Sequence, residues 1–315
     1  MQLLIVLLGA LLGFIYGYNT DGFIFSSKIC LFAGLTMIMP SLFKVKATDV
    51  QLLWHDRNIV IKSLAVNYVL LPLFALGIGL TTGNFGIAAG IFLLSVLSGG
   101  GMVMHWIKKS GGDTSLGFLL LFINLLFISL SLLMLHAFGI CTEDYFNASY
   151  TNEVNMSNFA RLVVELLIVV PFIASRIVLL FKPVAAFIES YRSYLSNISI
   201  FVILFYLFGL QSTQNLVDIY DFEPELIPVS LAAVVVFYVL ALGSARFVFN
   251  LGSPKEKAAF WHTVTRYITL ALLISTFSID TFGVSMILPI MFAYMIQIPF
   301  AILVDRKLLE KETGR

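Results

Sequence analysis

Apolar residues fall in long blocks separated by short polar stretches, and few charges interrupt the blocks. A bilayer core takes about 20 consecutive apolar residues in helical form. Ten such blocks are predicted as spans: Gln2–Tyr18, Ser26–Phe43, Asn58–Leu80, Phe85–Ile107, Ser115–Phe138, Phe159–Phe181, Tyr194–Leu210, Leu226–Phe249, Ala258–Phe277 and Phe282–Val304. The expected fold is an all-α polytopic membrane protein. The fourth block differs from the rest, because Gly99, Gly100 and Gly101 follow one another inside it. Each glycine costs a helix about 1 kcal/mol relative to alanine. Backbone that leaves the helix at membrane depth has to line a cavity or be buried in protein. Broken helices of that kind carry substrate and ion sites in secondary transporters. Close helix packing through small residues explains the glycines equally well.

The polar stretches alternate in charge. Basic residues follow spans two (Lys44, Lys46, Arg57), four (Lys108, Lys109), six (Lys182, Arg192) and eight (Arg246, Lys255, Lys257). The C-terminal tail carries Arg306, Lys307, Lys311 and Arg315. The intervening loops carry Asp21; Glu143, Asp144 and Glu153; Asp218, Asp221, Glu223 and Glu225; and Asp280. The only basic residues on that side are Lys28 and Arg161. The positive-inside rule then sets both termini in the cytoplasm. Ten spans divide into two halves of five, and an odd number forces the halves to insert in opposite orientations, as inverted repeats. The partner of span four is span nine. It opens with His262, Thr263, Thr265, Arg266, Tyr267 and Thr269, a polarity consistent with a second discontinuous helix.

Composition narrows the function classes. Of 315 residues, 59% are hydrophobic and 12% charged, more apolar surface than a soluble domain hides. The net charge of +1 gives no sign of a nucleic-acid partner. Cys30 and Cys141 form neither a disulfide framework nor a metal cluster. No GxxxxGK[ST] motif is present, so any transport runs on gradients. The lack of a nucleophile–base pair argues against an enzyme. The first block lacks a basic n-region and a small-residue cleavage site, so it reads as a span and not a signal peptide.

Several short motifs, in order and at matching spacing, resemble the bile acid:sodium symporter family and, more distantly, its arsenite efflux relatives. They are Gly34-Leu35-Thr36, Asn67-Tyr68-Val69-Leu70-Leu71-Pro72, Ser98-Gly99-Gly100-Gly101, Gly112-Asp113, and Thr265-Arg266-Tyr267 ahead of Leu270-Ala271-Leu272. The resemblance implies a panel subdomain (residues 1–44 and 158–211) and a core subdomain (58–138 and 225–305). Spans four and nine would be broken and would cross near the midplane, with a small organic anion bound between the subdomains. It also implies where sodium ligands would fall. The Ser-Asn pair after the glycines falls at Val103 and Met104, two hydroxyls at Gly117 and Leu121, a carboxylate at His262 and a glutamine at Arg266. Only the amide of span three survives, as Asn67. Sodium coupling by the family's mechanism is therefore not expected, and no cofactor or metal is.

The candidate substrate and crossing residues are Asn67, Gly99, Gly100, Gly101, Met104, His262, Thr265, Arg266, Tyr267 and Thr269. An arginine at membrane depth costs at least about 2.5–3.5 kcal/mol unless paired or hydrated. Arg266 is read as a fixed cation that stands in for sodium and helps hold an anion. The alternative is an arginine locked to Glu165 or to carbonyls of span four. His262, one turn earlier on the same face, is a candidate proton carrier or a hydrogen-bonded structural histidine. Glu165 is a candidate proton or charge partner, or the mate of Arg161. Asn124 and Ser131 read as helix-packing contacts. The expected function is a secondary transporter in a bacterial inner membrane. The alternatives are a sensor or scaffold that keeps the fold, and a proton-linked efflux permease akin to arsenite exporters.

Overall fold

A computed structural model describes residues 2–24, 26, 28–43, 56–100, 102–150, 161, 164–211 and 223–306. Among the expected landmarks, Gly101, Lys44, Lys46, Glu153, Asp218, Asp221, Lys307, Lys311 and Arg315 lie outside the described residues. In chain order the α-helices are α1 (Gln2–Asn19), α2 (Lys28–Ala33), α3 (Met39–Leu42), α4 (Arg57–Ala65), α5 (Leu71–Thr81), α6 (Phe85–Val96), α7 (Val103–Lys109), α8 (Thr114–Leu126) and α9 (Ile128–Phe146). They continue with α10 (Val170–Leu180), α11 (Lys182–Ser190), α12 (Arg192–Phe208), α13 (Leu226–Val248), α14 (Pro254–Val264), α15 (Ile268–Phe282) and α16 (Ile287–Val304).

A widened π turn leads into each of three helices: Gly34–Ile38 into α3, Val66–Leu70 into α5 and Glu165–Val169 into α10. Each is followed two residues later by a proline, Pro40, Pro72 or Pro171. A proline offers no N–H and its ring pushes on the carbonyl four residues back. Widening that turn keeps the helix running past the proline.

Two compact units form. One holds residues 1–45 and 151–222, the other 46–150 and 223–315. In the first, α1 packs along α12, and Phe23 joins Leu210 in an isolated parallel bridge, with Phe23 N donating to Gly209 O at 2.8 Å. In the second, α6 is buried along nearly its whole length and so is α14 from Lys257 onward. The α6 sequence, FGIAAGIFLLSV, explains this. It is uncharged and rich in small residues, so neighbours approach it on every side.

The described residues are almost entirely helical, as the pattern of apolar blocks requires. Arg57–Thr81, Leu226–Val248 and Val284–Val304 are each long and apolar enough to cross a membrane. Two bent pairs, Thr114–Leu126 with Ile128–Phe146 and Val170–Leu180 with Lys182–Ser190, raise that number among the described residues to as many as five if each pair is one span. Several predicted boundaries move. Span five is two helices bent by 49° at Phe127, and the second runs on to Phe146, so Glu143 and Asp144 are helical and not loop. Helix α15 likewise continues to Phe282 and takes in Asp280. Gly283, at φ +86°, ends it.

Candidate functional site

The interruptions after α6 and after α14 meet in the second unit. Ser98 and Arg266 pair as an isolated antiparallel bridge. Tyr267 N donates to Leu97 O at 3.0 Å, and Gly99 N donates to Thr265 O at 3.0 Å and to His262 O at 3.2 Å. These flanking bonds make Ser98 and Arg266 a non-hydrogen-bonded pair, the class in which facing residues lie closest. The glycines are needed for the approach. Gly99 sits at φ +74°, and a Cβ there would stand 2.6 Å from His262 Nδ1. Gly100 sits at φ +148°, and a Cβ there would stand 3.1 Å from Arg266 O.

Arg266 is 1% exposed. Its Nη1 donates to Ser95 O at 3.0 Å. Its Nη2 donates to Asn67 Oδ1 at 2.7 Å, to His262 O at 3.4 Å and to Thr263 O. Every one of these acceptors is neutral, and among the described residues Arg266 forms no ion pair. Its Nε has no hydrogen-bond partner there, and neither has the Ser98 hydroxyl across the bridge. The setting still favours a cation. Ser95 closes α6, and His262 and Thr263 close α14. Two helix C-termini therefore converge on the guanidinium, each with a partial negative charge of about half a unit.

Gln297, from α16, holds the unwound backbone of Arg266 at both ends. Its Oε1 accepts from Arg266 N at 2.6 Å, and its Nε2 donates to Arg266 O at 3.2 Å. The same Oε1 accepts from the Tyr238 hydroxyl of α13 at 2.8 Å. Asn67 is fixed as well, since its Nδ2 donates to Ser63 O at 2.8 Å and so its oxygen faces the guanidinium.

His262 joins the second interruption to α8. Its Nε2 lies 2.9 Å from Gly117 O, and a carbonyl only accepts, so Nε2 carries the proton. Nδ1 then accepts from Asn124 Nδ2 at 3.4 Å. The sequence reading took Asn124 for a packing contact, and here it meets the imidazole. The half-buried Met104 lies against Gly117. Thr265 donates back to Trp261 O at 2.6 Å, and Thr269 accepts from the Tyr294 hydroxyl at 2.7 Å. Tyr267 is buried at the start of α15, whose first turn has no side-chain cap. Trp106 of α7 stacks on Trp261 of α14 at 5.4 Å, and Trp261 Nε1 donates to Ser110 Oγ at 2.9 Å. Glu165 belongs to the other unit, where it is exposed and pairs with Arg161 at 2.7 Å.

Asn67, Gly99, Gly100, His262, Thr265, Arg266 and Tyr267 are thus brought together, with Met104 and Thr269 at the edge of the cluster. The sequence reading missed Gln297, Ser95 and Tyr238. A lone amide in the otherwise apolar ILPIMFAYMIQIPFAILV of α16 was a usable signal for Gln297. Ser95 acts through its carbonyl, which no side-chain pattern reveals.

A family model described as Sodium Bile acid symporter family matches residues 29–218, more than half of the chain. The match takes in Asn67 and the first interruption and ends before the second. No curated protein matches the chain.

Proposed function

The chain belongs to the sodium bile acid symporter family, and from that premise we propose that it moves a small organic anion by alternating access, with Arg266 in place of bound sodium. As a member of that family it is an integral membrane transporter and not an enzyme. Its spans, on this reading, are ten in two inverted repeats, with both termini cytoplasmic in a bacterial inner membrane. Spans four (α6 with α7) and nine (α14 with α15) are the discontinuous pair.

The observation that carries the reading is the Arg266 guanidinium, held by four neutral oxygens, three of them carbonyls at two helix C-termini and the fourth the Asn67 amide oxygen. Carbonyls at half-helix C-termini are what transporters offer to sodium. Here a tethered cation fills that role. Two features support an anionic substrate. Arg266 has no acidic partner among the described residues, and the uncapped N-terminus of α15 starts beside it. The efflux reading is weaker, because the arsenite exporters carry a cysteine in span four, whereas here α6 and α7 have none and Cys141 is exposed on α9.

The test begins with a thermal-unfolding screen of purified protein against small carboxylates and sulfonates. Uptake of any stabilising anion into proteoliposomes follows, with sodium replaced by choline. Equal uptake in both media is expected. Uptake that stops in choline overturns the replacement of sodium. If no anion stabilises the protein, the sensor or scaffold reading takes its place.

A further inference from the structure

After α10 the chain turns by 116° into α11. None of the α11 residues is buried. Its large apolar side chains nevertheless share one face. Val184, Phe187, Ile188 and Tyr191 follow the i, i+3, i+4, i+7 spacing of an amphipathic helix, and Lys182, Glu189 and Ser190 lie on the opposite side. The apolar face is open: Val184 is 48%, Phe187 60% and Tyr191 50% exposed. The aromatic rings continue it, with Phe187 on Tyr191 at 4.7 Å and Tyr191 near Tyr194 at 6.5 Å.

What covers this face follows from its continuity. Exposed apolar residues run down α10 through Ile173, Ile177 and Leu180, pass along α11, and resume on α12 at Ile198 and Val202. In an integral membrane protein that strip on α10 and α12 is lipid-facing. A helix set at 116° between two such helices lies closer to the membrane plane than to its normal. Aromatic residues at its far end suit the headgroup boundary, where Trp and Tyr concentrate.

We propose that α11 is an interfacial helix that lies in the headgroup layer of one leaflet, with Val184, Phe187, Ile188 and Tyr191 dipped into the acyl boundary and Lys182 and Glu189 turned to water. The helix fixes the depth of the first unit in the bilayer. This assignment is independent of the substrate and of the coupling ion.

The test uses full-length protein in lipid nanodiscs. With Cys30 and Cys141 replaced by serine, Phe187→Cys, Lys182→Cys and Val202→Cys each take one environment-sensitive fluorophore. Nitroxide lipids carry the quencher near the headgroup or near the acyl terminus, and iodide serves as the aqueous quencher. The shallow nitroxide is expected to quench the label at position 187 roughly twofold more than the deep one, the order expected for a helix at the boundary. The label at 182 should respond to iodide and the label at 202 to the deep nitroxide. Stronger quenching at 187 by the deep nitroxide would make α11 part of a span and overturn the proposal. So would iodide quenching at 187 equal to that at 182, or no quenching by any agent, which would mean that protein covers the face.

Discussion

Replacing Arg266 by glutamine separates the charge of the guanidinium from the polarity of the site. In the native protein four oxygens receive it: Ser95 O at 3.0 Å, Asn67 Oδ1 at 2.7 Å, His262 O at 3.4 Å and Thr263 O. Hydrogen bonds from a charged donor contribute about 1.5–3 kcal/mol each. Counting only the two shortest whose distances are quoted gives a loss of about 3–6 kcal/mol. Against this, the variant no longer buries a charge, a relief of at least about 2.5–3.5 kcal/mol. The net change in potassium medium is therefore small, from no change to a destabilisation of at most about 3.5 kcal/mol. The cation dependence is more telling. The freed oxygens and the introduced amide oxygen form a cluster suited to sodium, and a ligand at a hundredfold excess over its dissociation constant adds about 2.7 kcal/mol. Thermal unfolding of both proteins in sodium and potassium chloride at equal ionic strength reads this directly. Wild type should show no sodium-specific shift, and Arg266→Gln should recover in sodium much of what it lost. A sodium shift in wild type, or a variant as stable as wild type in potassium and indifferent to sodium, refutes the idea that the guanidinium occupies a cation position.

Other expectations follow from the same geometry. Gln297→Leu strands Arg266 N, Arg266 O and the Tyr238 hydroxyl. At about 1–3 kcal/mol for each buried unpaired group it should lower the melting temperature more than Gln297→Glu, which keeps both accepted bonds. Equal losses would show that the clamp is not what holds the backbone. Gly99→Ala puts a side chain at φ +74°, a left-handed penalty of about 1–2 kcal/mol, and presses on His262. The yield of folded protein should fall, whereas Gly77→Ala, with open space around it, should not reduce it. Lys109 and Asp305 pair at 2.6 Å, but the lysine side chain is 49% exposed. Lys109→Gln should therefore cost under about 1 kcal/mol, and a larger fall in unfolding measurements would show that the pair closes something more.

The apolar blocks and the glycine run were legible in sequence because both are local. Membrane-length hydrophobicity needs only a count, and three adjacent glycines oppose a helix wherever they sit. The polar junction of α14 and α15 was visible for the same reason. What stayed hidden depends on tertiary position. The Ser95 carbonyl is an acceptor only because α6 ends beside Arg266. Asn124 meets His262 only because α8 returns to the second interruption. The bend at Phe127 falls inside an uncharged, mostly apolar run, LLLFINLLFISL, where hydropathy marks no boundary. Helix α11 is too short and too charged, with Lys182, Glu189 and Arg192 in or beside it, for its apolar face to stand out from a loop between spans.

The crossing also bears on energetics of the transport cycle. Where the two helices unwind, the C-termini of α6 and α14 offer carbonyls that have lost their intrahelical partners. These groups are buried away from solvent, so the donors come from the protein. Gly99 N and Tyr267 N bridge the two segments, the Ser131 hydroxyl takes Val96 O at 3.0 Å, Gln297 takes Arg266 O, and the guanidinium takes the carbonyls of Ser95, His262 and Thr263. A bound ion in that place arrives and leaves with each cycle and delivers the energy of its gradient. A side chain does neither. If Arg266 replaces the ion, the protein follows the gradient of its own substrate, and exchange should be its fastest mode. Proteoliposomes preloaded with a transported anion should then take up labelled anion faster than empty ones, in choline as well as in sodium. Accumulation that appears only when a sodium gradient is imposed would mean that an ion still couples the cycle and that Arg266 has another role.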